Sequence, residues 1–336
     1  MHVLKKEFLR VLFINFFAAL VLILIAGCSA EKTSVKQDKP GPVVSLPQPQ
    51  QQEVKQTEQK QIQQQPVINV SKELKKYTEA LEKQCARYGW NDVKPGEISW
   101  EYYRTTKKKR PLIFAHFGNS EQNCVLFLGG VHGDELPTVY LMLKLAHYVK
   151  DNPQIFKDKC IVIAPLANPD GFFAKVPRRV NANGIDLNRN FPTRDWYAKA
   201  LKKKKSKTVR TKRYYSGSKP ASEQETLFQM ALIKRFNPQK ILSVHSPLNF
   251  FDYDGRTSDL DTFERWLEMI SRESNHPLKK FGFYPGSLGN YAGNERNIFT
   301  LTLELPTSNP DKAKEYYNKF QESIIKFINL SVLKSN

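Results

Sequence analysis

The stretch that decides the fold is residues 124–135, which read CVLFLGGVHGDE. Its first five residues form a short, continuous apolar run, and two glycines follow directly. Such a run, bounded by a turn signal, is typical of a strand buried on both faces of a parallel sheet. From residue 136 to 150 apolar residues recur at helical spacing, so this part of the chain predicts a strand, a tight turn and a helix in succession.

The same alternation of elements continues on both sides of this stretch. Further buried strands are predicted at residues 160–165, 241–244 and 299–303, and further helices at 71–88 and 223–236. Strands that alternate with helices predict an α/β fold with a mixed, mostly parallel twisted sheet and helices on both faces. In such folds the ligand site lies at the carboxyl ends of the strands.

Composition divides the 336 residues into three parts. Residues 1–27 have basic residues, an apolar stretch and a small-residue end before Cys28, which is the layout of a lipoprotein signal peptide with Cys28 as the acylated residue. A transmembrane helix kept as an anchor is the alternative, and both interpretations export the rest of the chain. Residues 28–70 are rich in Gln and Pro and predict a disordered tether. Residues 71–336 are long enough for one large catalytic domain.

The charge is strongly basic, with 52 Lys and Arg against 33 Asp and Glu and a net charge of +19. An exported basic protein is expected to meet anionic lipids or cell-wall polymers, so we expect a protein of the cell envelope that faces the periplasm or the exterior. Residues 202–213 are particularly rich in Lys and Arg, and they predict either a solvated surface loop or a segment that docks onto an anionic wall polymer. No stacking platform or groove-reading motif accompanies the charge, so nucleic-acid binding is not expected.

The cysteines predict neither a disulfide framework nor a cysteine metal site. Apart from Cys28 the chain has Cys85, Cys124 and Cys160, an odd number without paired spacing. Because Cys124 and Cys160 each open an apolar run, we expect them to be buried small side chains.

Three residues have the pattern of a metal site. His132 and Glu135 lie three residues apart immediately after a predicted buried strand, and such a pair is a common zinc half-site, although a weak signal alone. His245 ends the strand predicted at 241–244 and is expected at the same edge of the sheet. Three N and O ligands with one open position match a catalytic zinc site, so we expect one Zn²⁺ per chain.

Glu304 follows another predicted strand, within the apolar sequence LTLEL. A carboxylate there is costly to desolvate unless it has a task or a partner. As a general base it would remove a proton from the attacking water. The alternative is an ion pair with a buried arginine.

Residues 178–192, which read RRVNANGIDLNRNFP, are too polar to be core. An Asn and Arg pair, here Asn188 and Arg189, can bind a carboxylate through the amide and the planar guanidinium group. The alternative is a solvated turn that contains a local charge pair.

Taken together, these motifs resemble the zinc metallocarboxypeptidases, the family of carboxypeptidases A and B. The resemblance covers four ordered blocks, which are residues 132–135, the segments 168–171 and 186–192, the strand ending at His245, and residues 303–305. It implies a zinc-carboxypeptidase fold, with zinc on His132, Glu135 and His245. Glu304 would be the general base and then the proton donor to the leaving amine.

The resemblance also implies roles for neighbouring residues. Asn188 and Arg189 would bind the terminal carboxylate of the substrate, Arg179 would polarise the scissile carbonyl, and Asp186 would orient the first zinc histidine. Tyr284 lies near the position of a mobile substrate-binding tyrosine of the family, although the sequence around it differs. Residues 287–290, where the specificity pocket is expected, offer no carboxylate, so a preference for Lys or Arg ends is not expected.

Within the family the sequence is most similar to murein peptide amidases, which cut the γ-D-glutamyl to meso-diaminopimelate bond. This similarity implies a peptide or muropeptide substrate from peptidoglycan. Two alternatives are an N-acyl amino acid hydrolase of aspartoacylase type and a catalytically inactive lipoprotein that binds the cell wall.

Overall fold

A computed structural model describes residues 70–118, 123–197, 213–255 and 260–332 of the chain. Cys28, the predicted signal peptide and the predicted tether up to residue 69 lie outside these residues, and so does the Lys-rich segment up to residue 212. None of the helices described is both long and apolar enough to span a bilayer.

The described residues build one eight-stranded sheet with the strand order β1-β2-β4-β3-β5-β8-β6-β7. The strands are β1 (Glu101–Thr105), β2 (Pro111–Phe117), β3 (Cys124–Leu128), β4 (Cys160–Ala164), β5 (Lys240–His245), β6 (Phe250–Tyr253), β7 (Leu278–Lys279) and β8 (Phe299–Glu304). The four central strands β4, β3, β5 and β8 run parallel. On one side β2 pairs antiparallel to β4, and on the other side β6 pairs antiparallel to β8.

Helices cover both faces of this sheet. They are α1 (Val70–Arg87), α2 (Leu136–Asp151), the short α3 (Pro169–Phe172), α4 (Gln224–Phe236), α5 (Leu260–Glu273) and α6 (Ala313–Asn329). Because side chains alternate along a strand, Val125 and Phe127 of β3 pack with α1, α2, α5 and α6, whereas Leu126 and Leu128 pack with α4. The predicted α/β architecture, with a mixed and mostly parallel sheet between two helical layers, is therefore confirmed.

Every strand and helix predicted from the apolar patterns is present, with boundaries within one residue. Cys124 and Cys160 are buried, as predicted, and neither is in a disulfide within the described part of the chain. The patterns missed β1, β2, β6 and β7, and also the short α3, α5 and α6. Strand β1 illustrates the reason, because all five of its residues are half-buried and it lacks the continuous apolar run of a central strand.

The strand order determines where the candidate site lies. Strands β3, β5 and β8 are neighbours and parallel, so their carboxyl ends meet at one edge of the sheet. His245 and Glu304 end β5 and β8 and are paired in register. The loop that follows β3 carries His132 and Glu135 to the same edge.

Candidate metal centre and active site

His132, Glu135 and His245 form a buried group whose nitrogen and oxygen atoms lie within 4.8 Å of one another. The Nδ1 atom of His132 lies 2.8 Å from Glu135 Oε1, and the Nδ1 atom of His245 lies 2.9 Å from Glu135 Oε2. The two Nδ1 atoms are 3.2 Å apart. Ligand atoms around a tetrahedral zinc ion are separated by about 3.3 Å, so these three side chains fit one Zn²⁺ ion.

Both histidine rings are held so that Nδ1 faces this common point. His132 Nε2 lies 3.0 Å from Asp186 Oδ1, and a carboxylate oxygen there requires the ring to donate a proton from Nε2. His245 Nε2 lies 3.0 Å from the Ser243 hydroxyl, two residues earlier on the same face of β5. The Asp186 contact fixes the tautomer of His132, and the Ser243 hydroxyl can accept the Nε2 proton of His245 in the same way, so that both Nδ1 lone pairs can bind a cation.

The loop that carries His132 and Glu135 is fixed by close backbone packing. A Cβ atom on Gly133 would lie 2.3 Å from the backbone of Gly171 and Phe172, so only glycine allows the loop to approach α3 this closely. The Thr138 hydroxyl donates to the Glu135 carbonyl at 2.7 Å and accepts from the Gly130 amide at 3.0 Å. Together these contacts hold the loop between β3 and α2 in one conformation.

Glu304 lies beside the metal group, at the end of β8. Its Oε2 atom accepts a long hydrogen bond from the Leu248 amide at 3.4 Å, and no described residue forms an ion pair with it. The alternative of a buried arginine partner is therefore not observed within the described part of the chain. Burial raises the pKa of Glu304, and the nearby charge of Glu135 raises it further, although His245 opposes this shift.

Arg179 and Asp186 lie next to the metal group. Arg179 donates from Nε to Asp186 Oδ2 at 2.9 Å and reaches Glu135 Oε1 at 3.4 Å. Burial alone would raise the pKa of the Asp186 carboxyl, but Arg179 and His132 outweigh it and hold that pKa well below its usual range. Asp186 is therefore a buried anion that links Arg179 to the first histidine.

Asn188 and Arg189 follow within the same segment and line the same cavity. The Asn188 side-chain oxygen accepts from the Leu288 amide at 2.8 Å, and no described residue accepts a hydrogen bond from the Asn188 side-chain nitrogen. The guanidinium group of Arg189 lies over the rings of Tyr214 and Tyr284, at 5.9 and 4.8 Å from their centroids. Arg189 Nε is buried without a hydrogen-bond partner among the described residues, which does not favour the alternative of a solvated turn with a local charge pair.

A cavity of about 800 Å³ joins all these groups. Every residue that the sequence assigned to the site, apart from Asp186 behind His132 and Cys28 outside the described residues, lines it. Its lining includes His132, Glu135, Arg179, Asn188, Arg189, His245, Tyr284 and Glu304. One described residue of the Lys-rich segment, Arg213, also lines the cavity and lies 3.3 Å from Asp134.

The cavity also contains residues that the sequence analysis missed. Asp252 on β6 and Asp254 just after this strand line the cavity. Ser243, Tyr214 and Lys279, from other parts of the chain, line it as well. Residues 287–290 offer no carboxylate, as the sequence analysis states, but Asp252 and Asp254 line the same cavity, so those four residues alone do not decide the preference for the substrate side chain. Two signals were present in the sequence: Ser243 lies two residues before His245, and Asp252 and Asp254 alternate with aromatic residues, which is the period of one strand face.

The fold and these ligands define a class of protein, a zinc-dependent hydrolase with its site at the carboxyl ends of parallel strands. The sequence profile of the family described as zinc carboxypeptidase matches residues 101–317. The chain belongs to this zinc carboxypeptidase family and is a metallopeptidase.

Individual relatives agree with this assignment. The chain is 31% identical to murein peptide amidase A of Escherichia coli strain K12 over 228 residues, which is 65% of this chain and 85% of the relative. It is 32% identical to murein peptide amidase A of Vibrio campbellii over 205 residues, which is 60% of this chain and 77% of that one.

Solved structures agree as well. The crystal structure of murein-tripeptide amidase from Escherichia coli O157 superimposes with a TM-score of 0.52 at 26% identity, and covers 71% of this chain and 96% of that chain. Bovine thrombin-activatable fibrinolysis inhibitor, solved with a tick carboxypeptidase inhibitor, shares the fold with a TM-score of 0.61 at 17% identity, and covers 76% of this chain and 95% of that chain.

Proposed function

We propose that the protein hydrolyses the amide bond next to a C-terminal carboxylate in a peptide, and that the peptide is a peptidoglycan stem peptide. The observation that carries the proposal is a half-buried cation, Arg189, that has no anionic partner among the described residues. Among the described residues, no carboxylate lies within 4.0 Å of the Arg189 guanidinium, which borders the same cavity as the metal group. A free carboxylate on the substrate would supply the missing partner through a bidentate pair.

The assigned roles follow from where each side chain lies. Arg189 and the free Asn188 amide bind the terminal carboxylate, which brings the adjacent amide bond toward His132, Glu135 and His245. These three side chains would hold Zn²⁺, which would supply Lewis-acid chemistry there, polarising a carbonyl and lowering the pKa of water to about 7.

Glu304 takes the proton of the attacking water and returns it to the leaving nitrogen. The raised pKa of Glu304 suits this exchange, because a carboxyl group whose pKa lies closer to neutral pH both accepts and releases a proton readily. Arg179 donates hydrogen bonds to the oxyanion that develops on the carbonyl oxygen. Asp186 orients His132 and balances the charge of Arg179.

The choice of a murein peptide rests on the relatives. Two of them carry the name murein peptide amidase A, at 31% and 32% identity. We therefore propose the γ-D-glutamyl to meso-diaminopimelate bond as the bond that is cut. Family membership favours this peptidase activity over an N-acyl amino acid hydrolase of aspartoacylase type.

The test is to incubate the purified protein with defined muropeptides, with and without a chelator, and to identify the products by mass spectrometry. We expect free diaminopimelate-containing products that vanish with chelator and return on addition of Zn²⁺. Binding of muropeptides without any turnover would instead favour the inactive wall-binding lipoprotein.

We also propose that the protein is exported and anchored at Cys28 in the cell envelope, with residues 202–213 near anionic wall polymers. The support is the sequence layout of residues 1–28 and the net charge of +19. Intact-mass analysis should find a diacylglyceryl group on an N-terminal Cys28.

Replacing Lys202, Lys203, Lys204 and Lys205 by Ala should weaken binding to isolated sacculi at low salt but not at high salt. If the variant and the wild type bind sacculi equally at both salt concentrations, the docking role is refuted and the solvated surface loop is the remaining interpretation.

A further inference from the structure

His276 is a buried histidine that the proposed mechanism does not use. It lies between α5 and β7 and is only 1% exposed. Its Nε2 atom lies 3.0 Å from the backbone carbonyl oxygen of Glu304, the proposed general base. A carbonyl oxygen only accepts hydrogen bonds, so this contact requires the imidazole ring to donate a proton from Nε2. His276 therefore holds the main chain that carries the Glu304 carboxyl group.

The imidazole ring is packed against two buried phenylalanine rings. Phe251 of β6 lies nearly perpendicular to it, with the ring centroids 5.0 Å apart, and the centroid of Phe320 on α6 lies 4.7 Å away. Edge-to-face contacts of this kind favour one orientation of the ring. The Nε2 atom of His276 is therefore kept directed at the Glu304 carbonyl.

The backbone of His276 is fixed as well. Its amide donates to the Ser271 carbonyl at 2.9 Å, and the Ser271 hydroxyl donates to the His276 carbonyl at 2.7 Å. The next residue, Pro277, accepts a hydrogen bond from the Phe251 amide at 2.7 Å. The histidine is thus attached to α5 on one side and to β6 on the other, and β6 pairs with β8.

The end of β8 needs such support because the Glu304 carboxyl group is held by a weak contact. Glu304 is the last residue of this strand, and its Oε2 atom accepts from the Leu248 amide at 3.4 Å. An ordinary hydrogen bond of this type is about 2.9–3.0 Å long. The direction of the carboxyl group therefore depends on the main chain that bears it. A displacement of about 1 Å at a reacting group can cost about 100-fold in rate.

A histidine at this position has a cost that an apolar residue would avoid. Phenylalanine or leucine would fill the space beside the two phenylalanine rings without burying polar atoms. Burial lowers the pKa of His276 to about 4, although the Glu304 carbonyl opposes this shift. The ring is therefore neutral at neutral pH and has a single N–H group. This donor is what a histidine supplies here and an apolar residue cannot.

We propose that His276 is a positioning residue for the reaction, whose Nε2–H group holds the Glu304 carbonyl and thereby aims the carboxyl group at the metal group. His276 does not line the cavity, so it acts through Glu304 alone. The inference rests on the proposed function and adds a residue to its machinery. A histidine with a purely structural role would affect stability, whereas a positioning residue affects kcat of the folded enzyme. KM stays unchanged because Asn188 and Arg189 bind the terminal carboxylate.

The experiment compares two substitutions of the same histidine. His276→Leu removes the donor, whereas the side-chain amide of His276→Gln can place an N–H group near the position of Nε2. The control is Trp100→Phe, which removes another buried ring N–H group outside the cavity, one that donates to the Pro95 carbonyl at 2.7 Å. Each zinc-loaded full chain is given the tripeptide L-Ala-γ-D-Glu-diaminopimelate.

We expect His276→Leu to lose about 10- to 100-fold in kcat, with KM and zinc content unchanged. His276→Gln should recover most of this loss, and Trp100→Phe should keep the kcat of the wild type. A wild-type kcat in His276→Leu, or equal losses in the Leu and Gln variants, would overturn the inference.

A second set of measurements needs no turnover, so it separates this inference from the proposed function. Hydrogen exchange of residues 299–306, followed by mass spectrometry, should be faster in His276→Leu than in the wild type, His276→Gln and Trp100→Phe. Nitrogen NMR of the wild type should find the ring proton of His276 on Nε2, and a proton on Nδ1 would overturn the inference whether or not the variants fold. Muropeptides left uncut by the wild type would refute the proposed function, whereas unchanged exchange in His276→Leu would refute the positioning role.

Discussion

Replacing Asp186 by Asn tests whether the metal group depends on the residue behind it. Asp186 Oδ1 accepts from His132 Nε2 and from the Asn188 amide, both at 3.0 Å, and Oδ2 accepts from Arg179 Nε at 2.9 Å. An asparagine has one oxygen. If that oxygen stays with His132, the new amide group faces the Arg179 donor, and one of the two negative charges next to His132 is lost while Glu135 remains.

We expect Asp186→Asn to have two effects, one on the stability of the protein and one on its affinity for zinc. Removing one partner of a buried ion pair costs about 3–5 kcal/mol of unfolding free energy. Loss of an outer-shell carboxylate weakens metal binding by about 10- to 100-fold, which is about 1.4–2.7 kcal/mol. We therefore expect Asp186→Asn to lower both the stability of the protein and its affinity for zinc.

Asp170 provides a matched control. Asp170 is as buried as Asp186, but it belongs neither to the metal group nor to the cavity lining. Its carboxylate accepts hydrogen bonds from Arg110 Nη1 at 2.9 Å, from the Thr106 hydroxyl at 2.9 Å and from the Lys108 amide at 3.1 Å. Asp170→Asn should cost a similar stability and leave zinc affinity unchanged. The assay is zinc competition with a fluorescent chelator, alongside urea unfolding. Equal zinc affinities in the wild type and in Asp186→Asn would refute the reasoning.

Three further predictions concern single side chains. Glu304→Gln should retain a full equivalent of zinc but lose about 10²–10⁴-fold in kcat, and near-normal turnover in stopped assays would contradict its role as the base. His245→Ala removes one of three ligands, so elemental analysis should find zinc well below one equivalent, and a full complement would argue against this ligand. Burial raises the pKa of Glu225 from 4.5 to about 7, so the folded state holds a proton that the unfolded state releases between these values. The unfolding free energy of the wild type should therefore fall as pH rises from 4.5 to 7, and Glu225→Gln should be more stable than the wild type by up to about 3 kcal/mol at pH 8 but not at pH 4. Urea unfolding at the two pH values measures the difference in unfolding free energy between Glu225→Gln and the wild type. The same difference at pH 4 and at pH 8 would contradict the burial argument.

The strands that carry the site could be predicted because they are central. β3 is a continuous buried apolar run, and β5 and β8 are largely buried and rich in apolar residues; polar residues of the site end β5 and β8 or follow β3. Strand β1 at one edge is only half-buried, and β6 and β7 at the other side of the sheet are four and two residues long, so no comparable pattern indicates these three strands. The pocket carboxylates were missed for this reason, because β6 carries Asp252 and leads into Asp254.

What the sequence determined by itself is the α/β architecture and the grouping of His132, Glu135, His245 and Glu304 at one edge of the sheet. The physical reason is that parallel strands share one direction, so residues that follow them meet at the same edge. Only the tertiary structure decided which ring nitrogens face the metal position, because Asp186 and Ser243 reach the histidines through folding. The tertiary structure also decided that Asp252 and Asp254 line the cavity, because the face that a strand presents depends on its pairing partner and register.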